Sequence, residues 1–370
     1  MLVEKKLFEL PSYETVGGRT IKPVRFGYET YGRLNAAGDN AIFVAHYYSG
    51  SSHAAGKYRA DDVEPGYWDA IIGPGKVIDT DRYFVIGADC LANLAVHSPN
   101  VVTTGPASID PDTGQPYGMR FPVVAPRDFV RVHRALLDHL GVRRLQAVIG
   151  ASGGSMQAFE WAALYPDFVD RVIAVVSPGL AINPYCIMTL DLWTLPIRLD
   201  ANWNGGDYYG RAEPRQGLIE ALKLVIYSGR HFGWAEKTFG YRWAEDGKNP
   251  ADKLDHLFLI EDDLRRFAAE RAALVDANHM IYTSKAYQLY NLDAEVGRIK
   301  ARVLLIPAQL DLIFPPVLSY RAAERLRANG TEAVVRELEG DGGHLDAVYA
   351  IDRAAQAIAE FLGLPPADFR

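Results

Sequence analysis

Cysteine is scarce in this sequence. The 370 residues include two cysteines, Cys90 and Cys186, which lie far apart along the chain. Two distant cysteines cannot form a disulfide framework, and they lack the paired spacing of a structural zinc site. We therefore expect a protein of a reducing compartment, the cytoplasm.

Long apolar runs and clusters of positive charge are also missing. No stretch of about 18 uncharged apolar residues occurs, so the sequence predicts no membrane span. Residues 1–10 interleave charged and apolar residues, unlike the apolar core of a signal peptide. Asp and Glu total 46 against 39 Lys and Arg, a formal net charge of -7. Neither nucleic acid nor a membrane is an expected partner.

Apolar residues are plentiful, at 49% of the chain, which is enough for a sizeable core. The length fits one large α/β domain with an insertion, or two domains. Short apolar runs alternate with helical patterns, which is typical of a mostly parallel sheet. Strands are predicted at residues 41–45, 83–86, 145–149, 172–176 and 303–306, and helices at 126–140 and 353–362.

The stretch from residue 181 to residue 293 differs in character from the rest. It is rich in Trp, Tyr and Asn, shows helical periodicity and lacks convincing β-branched runs. We interpret residues 181–293 as a helical cap inserted into an α/β core formed by residues 1–180 and 294–370.

The most informative motif is G-x-S-x-G at residues 150–154, directly after the predicted strand at 145–149 and before a helical pattern. A serine on such a sharp turn points its hydroxyl away from the sheet. Glycines beside it allow the strand and helix to approach closely. This context predicts Ser152 as a nucleophile rather than an incidental serine in a glycine-rich turn.

A serine nucleophile needs a histidine base and a carboxylate that orients the histidine. With this motif they follow the serine in the order acid, then histidine. Asp311 comes just after the strand at 303–306, and His344 follows in a Gly-Gly-His loop. Asp341 and Asp346 are rival acids because they flank the histidine, but neighbours in sequence usually point elsewhere. We prefer Asp311.

Backbone amides should stabilise the oxyanion of an acyl-transfer intermediate. One donor is expected from Gly153, the residue after the serine, and the other from the loop after the strand at 41–45, where Tyr48 is the candidate. The other histidines show no metal-binding spacing, so no metal site is predicted. The sequence also lacks a P-loop and a G-x-G-x-x-G turn, which leaves nucleotide binding unsupported.

Several further segments, taken in order, resemble the homoserine O-acetyltransferase family of α/β-hydrolase-fold enzymes. The segments are residues 66–69, 73–76, 78–86, 104–106, 116–118, 121–122, 127–128, 202–209 and 275–278. The resemblance implies the α/β-hydrolase fold with an eight-stranded sheet, a helical cap that often forms a dimer contact, and no cofactor beyond the acyl donor, for which acyl-CoA is possible. It also implies a ping-pong reaction through an acyl-serine and places the family's nucleophile, acid and base on Ser152, Asp311 and His344.

Two departures from the family pattern bear on the substrate. Enzymes that acylate homoserine carry an arginine in a Gly-Leu-x-x-Ala-Arg-Met motif and an aspartate directly after the catalytic histidine, which are thought to hold the charged ends of the amino acid. Leu222 and Leu345 stand in these places, with Lys223 next to the first. Each lost hydrogen bond to a charged group is worth about 1.5 to 3 kcal/mol, so recognition would weaken roughly a hundredfold or more. Lys223, Arg215, Arg230 and Asp346 are possible replacements.

The sequence thus predicts a Ser-His-Asp enzyme that transfers an acyl group from a small ester or thioester. We favour a carboxylic-ester hydrolase, or an acyltransferase with a small uncharged acceptor. The alternative is a true homoserine O-acetyltransferase that uses acetyl-CoA. A catalytically idle scaffold that serves as a binding module is a third, weaker reading.

Overall fold

The computed structural model describes residues 1–364, and its centre is one eight-stranded sheet. The strands are β1 (Lys6–Leu10), β2 (Val24–Tyr31), β3 (Ala41–Ala45), β4 (Phe84–Ala88), β5 (Leu145–Ala151), β6 (Arg171–Val175), β7 (Arg302–Ile306) and β8 (Ala333–Val335). Three two-stranded ribbons pair Tyr13–Glu14 with Thr20–Ile21, Ile72–Gly73 with Ile78–Asp79, and Ile109–Asp110 with Gln115–Pro116.

The strand order is β1-β2-β4-β3-β5-β6-β7-β8. β1 and β2 form the antiparallel edge, since β2 pairs antiparallel with both β1 and β4, and all later neighbours are parallel. The middle strands are buried apolar runs because a parallel sheet is covered on both faces. The predicted α/β-hydrolase fold with a mostly parallel sheet is confirmed.

All five predicted strands are present; the first has the predicted bounds, and the other four differ from the prediction by one or two residues at one or both ends. Tyr83 precedes β4, and Val176 lies just beyond β6 with a φ of 41°, an unusual conformation for a β-branched residue. The sequence reading missed β1, β2 and β8. β1 mixes charged with apolar residues without a regular alternation, β2 contains polar and charged positions, and β8 is only three residues long.

Helices cover both faces of the sheet. They are α1 (Pro126–His139), α2 (Gly153–Leu164), α3 (Pro184–Leu199), α4 (Arg215–Ser228), α5 (Phe232–Thr238), α6 (Leu259–Ala272), α7 (Ala277–Gln288), α8 (Pro316–Ala328), α9 (Asp346–Tyr349) and α10 (Ala355–Leu362). Alternate residues of β3 belong to different core clusters, one on each face. Helices α1 and α2 pack on one face and α10 on the other.

The predicted cap range contains α3 to α7. Helix α3 packs against α4 and α7, and α4 packs against α6. The segment begins and ends at adjacent points, because Ala181 forms an antiparallel bridge with Asn291. The division at 181 and 293 stays a prediction, and residues 365–370 of the predicted core lie outside the described chain. No helix within residues 1–364 is both long and apolar enough to cross a membrane.

Candidate active site

Ser152 occupies the tight turn between β5 and α2. Its φ of 55° and ψ of -116° place it in a strained conformation that non-glycine residues rarely adopt, as is common at functional sites. The Ser152 amide donates to the Val175 carbonyl at 2.9 Å, which fixes the turn against β6. A Cβ on Gly154 would lie 2.1 Å from the Ala45 carbonyl oxygen, so this close approach requires glycine.

His344 and Asp311 form a buried pair. The His344 Nδ1 atom lies 2.7 Å from Asp311 Oδ2, and the Asp311 side chain is fully buried. Asp311 Oδ1 accepts hydrogen bonds from the amides of Ile313 and Phe314, at 2.8 and 2.9 Å. These bonds hold the carboxylate in one orientation, and Nδ1–H donates to it. The Nε2 atom is therefore the one available to act as a base.

The two rival acids are engaged elsewhere. Asp341 is exposed and pairs with Lys237 at 2.9 Å. Asp346 accepts from the Gly342 amide at 3.1 Å, and burial raises the pKa of its carboxyl. Of the three carboxylates, the structure places only Asp311 in hydrogen-bond contact with the imidazole.

Ser152 and His344 line the same cavity. Within residues 1–364 no hydrogen bond joins the Ser152 hydroxyl to the His344 ring. Contacts between a nucleophile and its base are often long in an enzyme without substrate and shorten in the complex. The site therefore places the two groups at one cavity without locking them together.

The Tyr48 amide is oriented by the carbonyl that precedes it. The Tyr47 carbonyl accepts from the Gly50 amide at 2.9 Å and from His46 Nδ1 at 2.8 Å. His46 Nε2 in turn accepts from the Cys90 amide at 3.1 Å, so the ring proton is on Nδ1. Burial lowers the pKa of His46 and favours this neutral form. In a trans peptide the N–H points opposite to the C=O, so these bonds direct the Tyr48 N–H.

Gly153 supplies the first amide of α2. The first amides of a helix have no partner within the helix, and its N-terminus favours negative charge. Tyr48 and Gly153 both line a cavity at Ser152. The Tyr48 side chain is anchored by a 2.7 Å hydrogen bond between its hydroxyl and Ser284 Oγ on α7. Both residues that carry the predicted oxyanion donors thus line the cavity at Ser152.

Two cavities meet at Ser152. The Gly153-side cavity is lined by Tyr48, Ser152, Gly153, Met156, Ile182, Cys186, Thr189, Leu190, Trp193, Tyr287, Ile313 and Phe314. The His344-side cavity is lined by Tyr47, Tyr48, Ser49, Ala151, Ser152, Val176, Trp193, Val225, Gly229, Ile313, His344, Leu345, Ala347 and Val348. The first cavity has a volume of about 30 Å³ and the second a volume of about 60 Å³.

Both cavities are almost free of charge. None of the residues that line them in the described chain is Lys, Arg, Asp or Glu. Burial raises the pKa of Tyr48 above its ordinary value and that of Cys186 to about 11, so both stay neutral near pH 7. Among the described residues that line the two cavities, His344 is the only one with a basic side chain.

The predicted substrate-binding positions do not share one location. Leu345 lines the His344-side cavity. Leu222 is buried in the packing of α4, and Lys223 pairs with Glu220 at 2.7 Å, outside both sets of cavity residues. Of the suggested replacements, Arg215 hydrogen-bonds the Ala269 carbonyl. Arg230 packs between the rings of Trp234 and Tyr349, with its charge 4.4 and 5.1 Å from their centroids.

Sequence reasoning missed the residues of α3 and α4 that line the two cavities at Ser152. Cys186, Leu190 and Trp193 face the Gly153-side cavity from α3, while Val225 and Gly229 reach the other cavity from α4 and its end. Helix α3 is apolar on two faces, so its periodicity does not show which face meets the active site. The aromatic-rich composition of the cap was the available signal, and it does not single out Trp193.

Comparison with known proteins gives the family of the chain. The family model described as alpha/beta hydrolase fold matches residues 125–349. A homoserine O-acetyltransferase from Deferribacter desulfuricans is 37% identical over 93% of this chain and 91% of its own length. The crystal structure of a homoserine O-acetyltransferase from Bacillus anthracis is 38% identical, with a TM-score of 0.93 and full coverage of both chains. An esterase crystal structure is 46% identical, with a TM-score of 0.92, and covers 98% of this chain and 100% of its own.

Proposed function

This chain belongs to the homoserine O-acetyltransferase family of α/β-hydrolase-fold enzymes, and from that premise we propose that it cleaves small uncharged esters or thioesters through an acylated Ser152. The acceptor of the acyl group is water or a small uncharged alcohol. The second candidate is homoserine O-acetylation with acetyl-CoA as the donor. Both reactions share the same first half and differ in the acceptor.

The proposed first half-reaction uses the core residues. His344 Nε2 takes the proton from the Ser152 hydroxyl as the oxygen attacks the carbonyl carbon of the ester. The carbonyl oxygen becomes negative and accepts hydrogen bonds from the Tyr48 and Gly153 amides. His344 then gives its proton to the departing alcohol or thiol, and the acyl group stays on Ser152. Asp311 holds the imidazole in the required tautomer throughout.

The second half-reaction reverses the roles. His344 takes a proton from the acceptor hydroxyl, whose oxygen attacks the acyl carbonyl of the acyl-serine. The same two amides stabilise the new oxyanion. His344 returns the proton to Ser152, which restores the free enzyme and releases an acid or a new ester.

The uncharged lining of the two cavities is the observation that favours water or a small uncharged alcohol over homoserine as the acceptor. Homoserine enters as a zwitterion, and neither cavity offers it a Lys, Arg, Asp or Glu side chain from the described residues. Leu345 lines the His344-side cavity where homoserine-acylating relatives are expected to carry a carboxylate. Burying an ammonium or carboxylate without a partner is strongly unfavourable. The greater identity with the esterase, 46% against 38%, supports the same choice.

The homoserine alternative is supported by the sequence identity between this chain and homoserine O-acetyltransferases. Homoserine O-acetyltransferases match this chain at 37% and 39% identity over 93% and 88% of its length. Arg230 is a half-buried cation next to Gly229, which lines the His344-side cavity, and its Nε atom is buried without a hydrogen-bond partner within residues 1–364. A shift of this side chain would bring a positive charge toward that cavity.

Two assays test the proposal. A fluorophosphonate probe should label the wild-type protein and leave Ser152→Ala unlabelled, while a probe that labels Ser152→Ala equally would contradict the assignment of the nucleophile. Release of coenzyme A from acetyl-CoA is then measured with and without homoserine. Thiol release without homoserine supports hydrolysis, whereas release only in its presence would establish the alternative.

For the assembly, we propose a homodimer through the cap. The outward face of α3 carries five exposed apolar side chains at alternating spacings of three and four residues: Tyr185, Met188, Leu192, Leu195 and Leu199. That spacing is the one by which helices pack along a shared apolar seam. Exposed apolar stripes of this extent usually mark an interaction surface.

A further inference from the structure

Trp193 stands between the two cavities at Ser152. It is one of four residues that line both, with Tyr48, Ser152 and Ile313, and the only one of the four contributed by a cap helix. Its ring packs edge-on against Tyr48, with centroids 5.4 Å apart, and its exposed fraction is 7%. The indole therefore forms a wall of the Gly153-side cavity and of the His344-side cavity at once.

A hydrogen bond across two helices fixes the position of this wall. The Trp193 indole N–H on α3 donates to Ser228 Oγ at the end of α4, at 3.0 Å. The Ser228 hydroxyl donates in turn to the Leu224 carbonyl at 2.6 Å. Since a buried N–H is costly to leave unpaired, this bond selects one orientation of the ring. The wall is thus a fixed side chain and not a loosely packed one.

The position of His344 decides which part of an ester enters each cavity. His344 must reach the oxygen of the departing alcohol and later that of the acceptor, so both belong in the cavity that it lines. The acyl chain then extends into the Gly153-side cavity, which His344 does not line. The free interior of this cavity, about 30 Å³, is only about two to three times what one buried water needs.

We propose that Trp193 sets the length of the acyl chain and restricts the enzyme to short-chain acyl esters or thioesters. This inference rests on the proposed function, because it concerns the acyl half of the same reaction. The Trp193 ring separates the Gly153-side cavity from the His344-side cavity. Its removal joins the two spaces and admits longer chains. In an apolar pocket, each added or missing methylene changes kcat/KM by about tenfold or more.

The test compares p-nitrophenyl esters from acetate to octanoate in wild-type protein and Trp193→Leu. The expected result is a rise of at least about tenfold in the kcat/KM ratio of octanoate to acetate. Trp243→Leu is the matched control. It removes an indole from the cap at a position that is 40% exposed and lines neither cavity, so its ratio should equal that of wild type.

Two gentler variants keep the test valid if Trp193→Leu does not fold. Trp193→Phe keeps an aromatic ring but loses the hydrogen bond to Ser228, and Ser228→Ala keeps the indole but removes its acceptor together with the hydroxyl's own bond to the Leu224 carbonyl. Both should shift the ratio in the same direction by a smaller factor, roughly two- to fivefold, because the wall is loosened rather than removed. Circular dichroism and thermal unfolding establish that each variant is folded.

The outcomes of this test distinguish a failure of the acyl-length inference from a failure of the proposed function. A chain-length profile that stays within twofold of wild type in every folded Trp193 and Ser228 variant, with hydrolysis still dependent on Ser152, overturns the inference alone. Hydrolysis that survives in Ser152→Ala overturns the proposed function and the inference with it. A shift toward longer esters in the Trp193 variants, absent from Trp243→Leu, supports the inference.

Discussion

The α/β core and the helices of residues 181–293 contribute different kinds of group to the space around Ser152. The core provides Ser152, the buried His344–Asp311 pair, Tyr48 and Gly153, all in segments that follow strands of the sheet. The inserted helices provide mainly apolar side chains, with Trp193 at the centre. In the proposed mechanism, bond making therefore belongs to the core and substrate choice to the inserted helices. Substitutions in the two regions should therefore produce different kinds of defect.

The largest effect is expected from Asp311→Asn in the core. The change keeps the shape of the side chain but removes the charge that holds the His344 tautomer, so kcat should fall by about 10⁴ on every ester tested. Steady-state kinetics with acetate and butyrate esters measure it. Asp341→Asn is the control, since Asp341 is exposed and pairs with Lys237. A loss confined to one acyl length would break the proposed separation of roles.

A second core prediction concerns stability and not chemistry. Glu29 is fully buried on β2. Burial by itself would raise its pKa, but the His53 hydrogen bond, the Lys5 charge and the Tyr58 hydrogen bond together lower the pKa to about 2. A carboxyl whose pKa is lowered in the folded state stabilises it above the unfolded value, near 4.5, and this contribution disappears as the pH falls toward 2. At 1.36 kcal/mol per pKa unit it amounts to roughly 3 kcal/mol.

Denaturant unfolding between pH 7 and pH 2 tests this prediction with Glu29→Gln. The variant should be less stable than wild type at pH 7, and the gap should close between pH 4.5 and pH 2. Glu9→Gln on the neighbouring strand is the control, because the Glu9–Arg25 pair is exposed and should matter little. A gap that stays constant with pH would contradict the role assigned to the Glu29 charge.

A smaller effect is expected at the outward face of α3. Leu192→Glu places a charge in the middle of the exposed apolar stripe and should weaken self-association by about 30-fold, as for a central interface residue. Sedimentation equilibrium measures the dissociation constant. Leu254→Glu, at a fully exposed leucine outside α3, should leave the dissociation constant unchanged. A wild-type protein that stays monomeric at high micromolar concentration would refute the proposed dimer.

The smallest effect is expected at Lys223. Its ammonium pairs with Glu220 and it lines neither cavity, so Lys223→Ala should change kcat/KM for esters by less than about twofold. The same variant should show no selective change with homoserine. A marked rise in KM for homoserine alone would revive the acetyltransferase alternative and assign Lys223 to its substrate site.

The sequence predicts the core better than it predicts the helices of residues 181–293. Ser152, Asp311 and His344 could be placed because each follows a strand or lies in a loop whose position the sheet order determines. The antiparallel strands β1 and β2 were missed because charged residues, among them Lys5 beside β1 and Glu29 within β2, meet in a buried ion pair that only the folded chain creates. Trp193 was missed because helical periodicity gives the faces of α3 but not their partners.

The two hydrogen bonds on the Tyr47 carbonyl have a consequence for how the enzyme meets its substrate. Both come from the protein itself, from His46 and Gly50, so the amide that follows is aimed during folding. In the proposed mechanism, an arriving ester therefore meets a Tyr48 amide whose orientation is already set. The entropy of ordering this donor is lost once in the lifetime of the molecule rather than in every catalytic cycle.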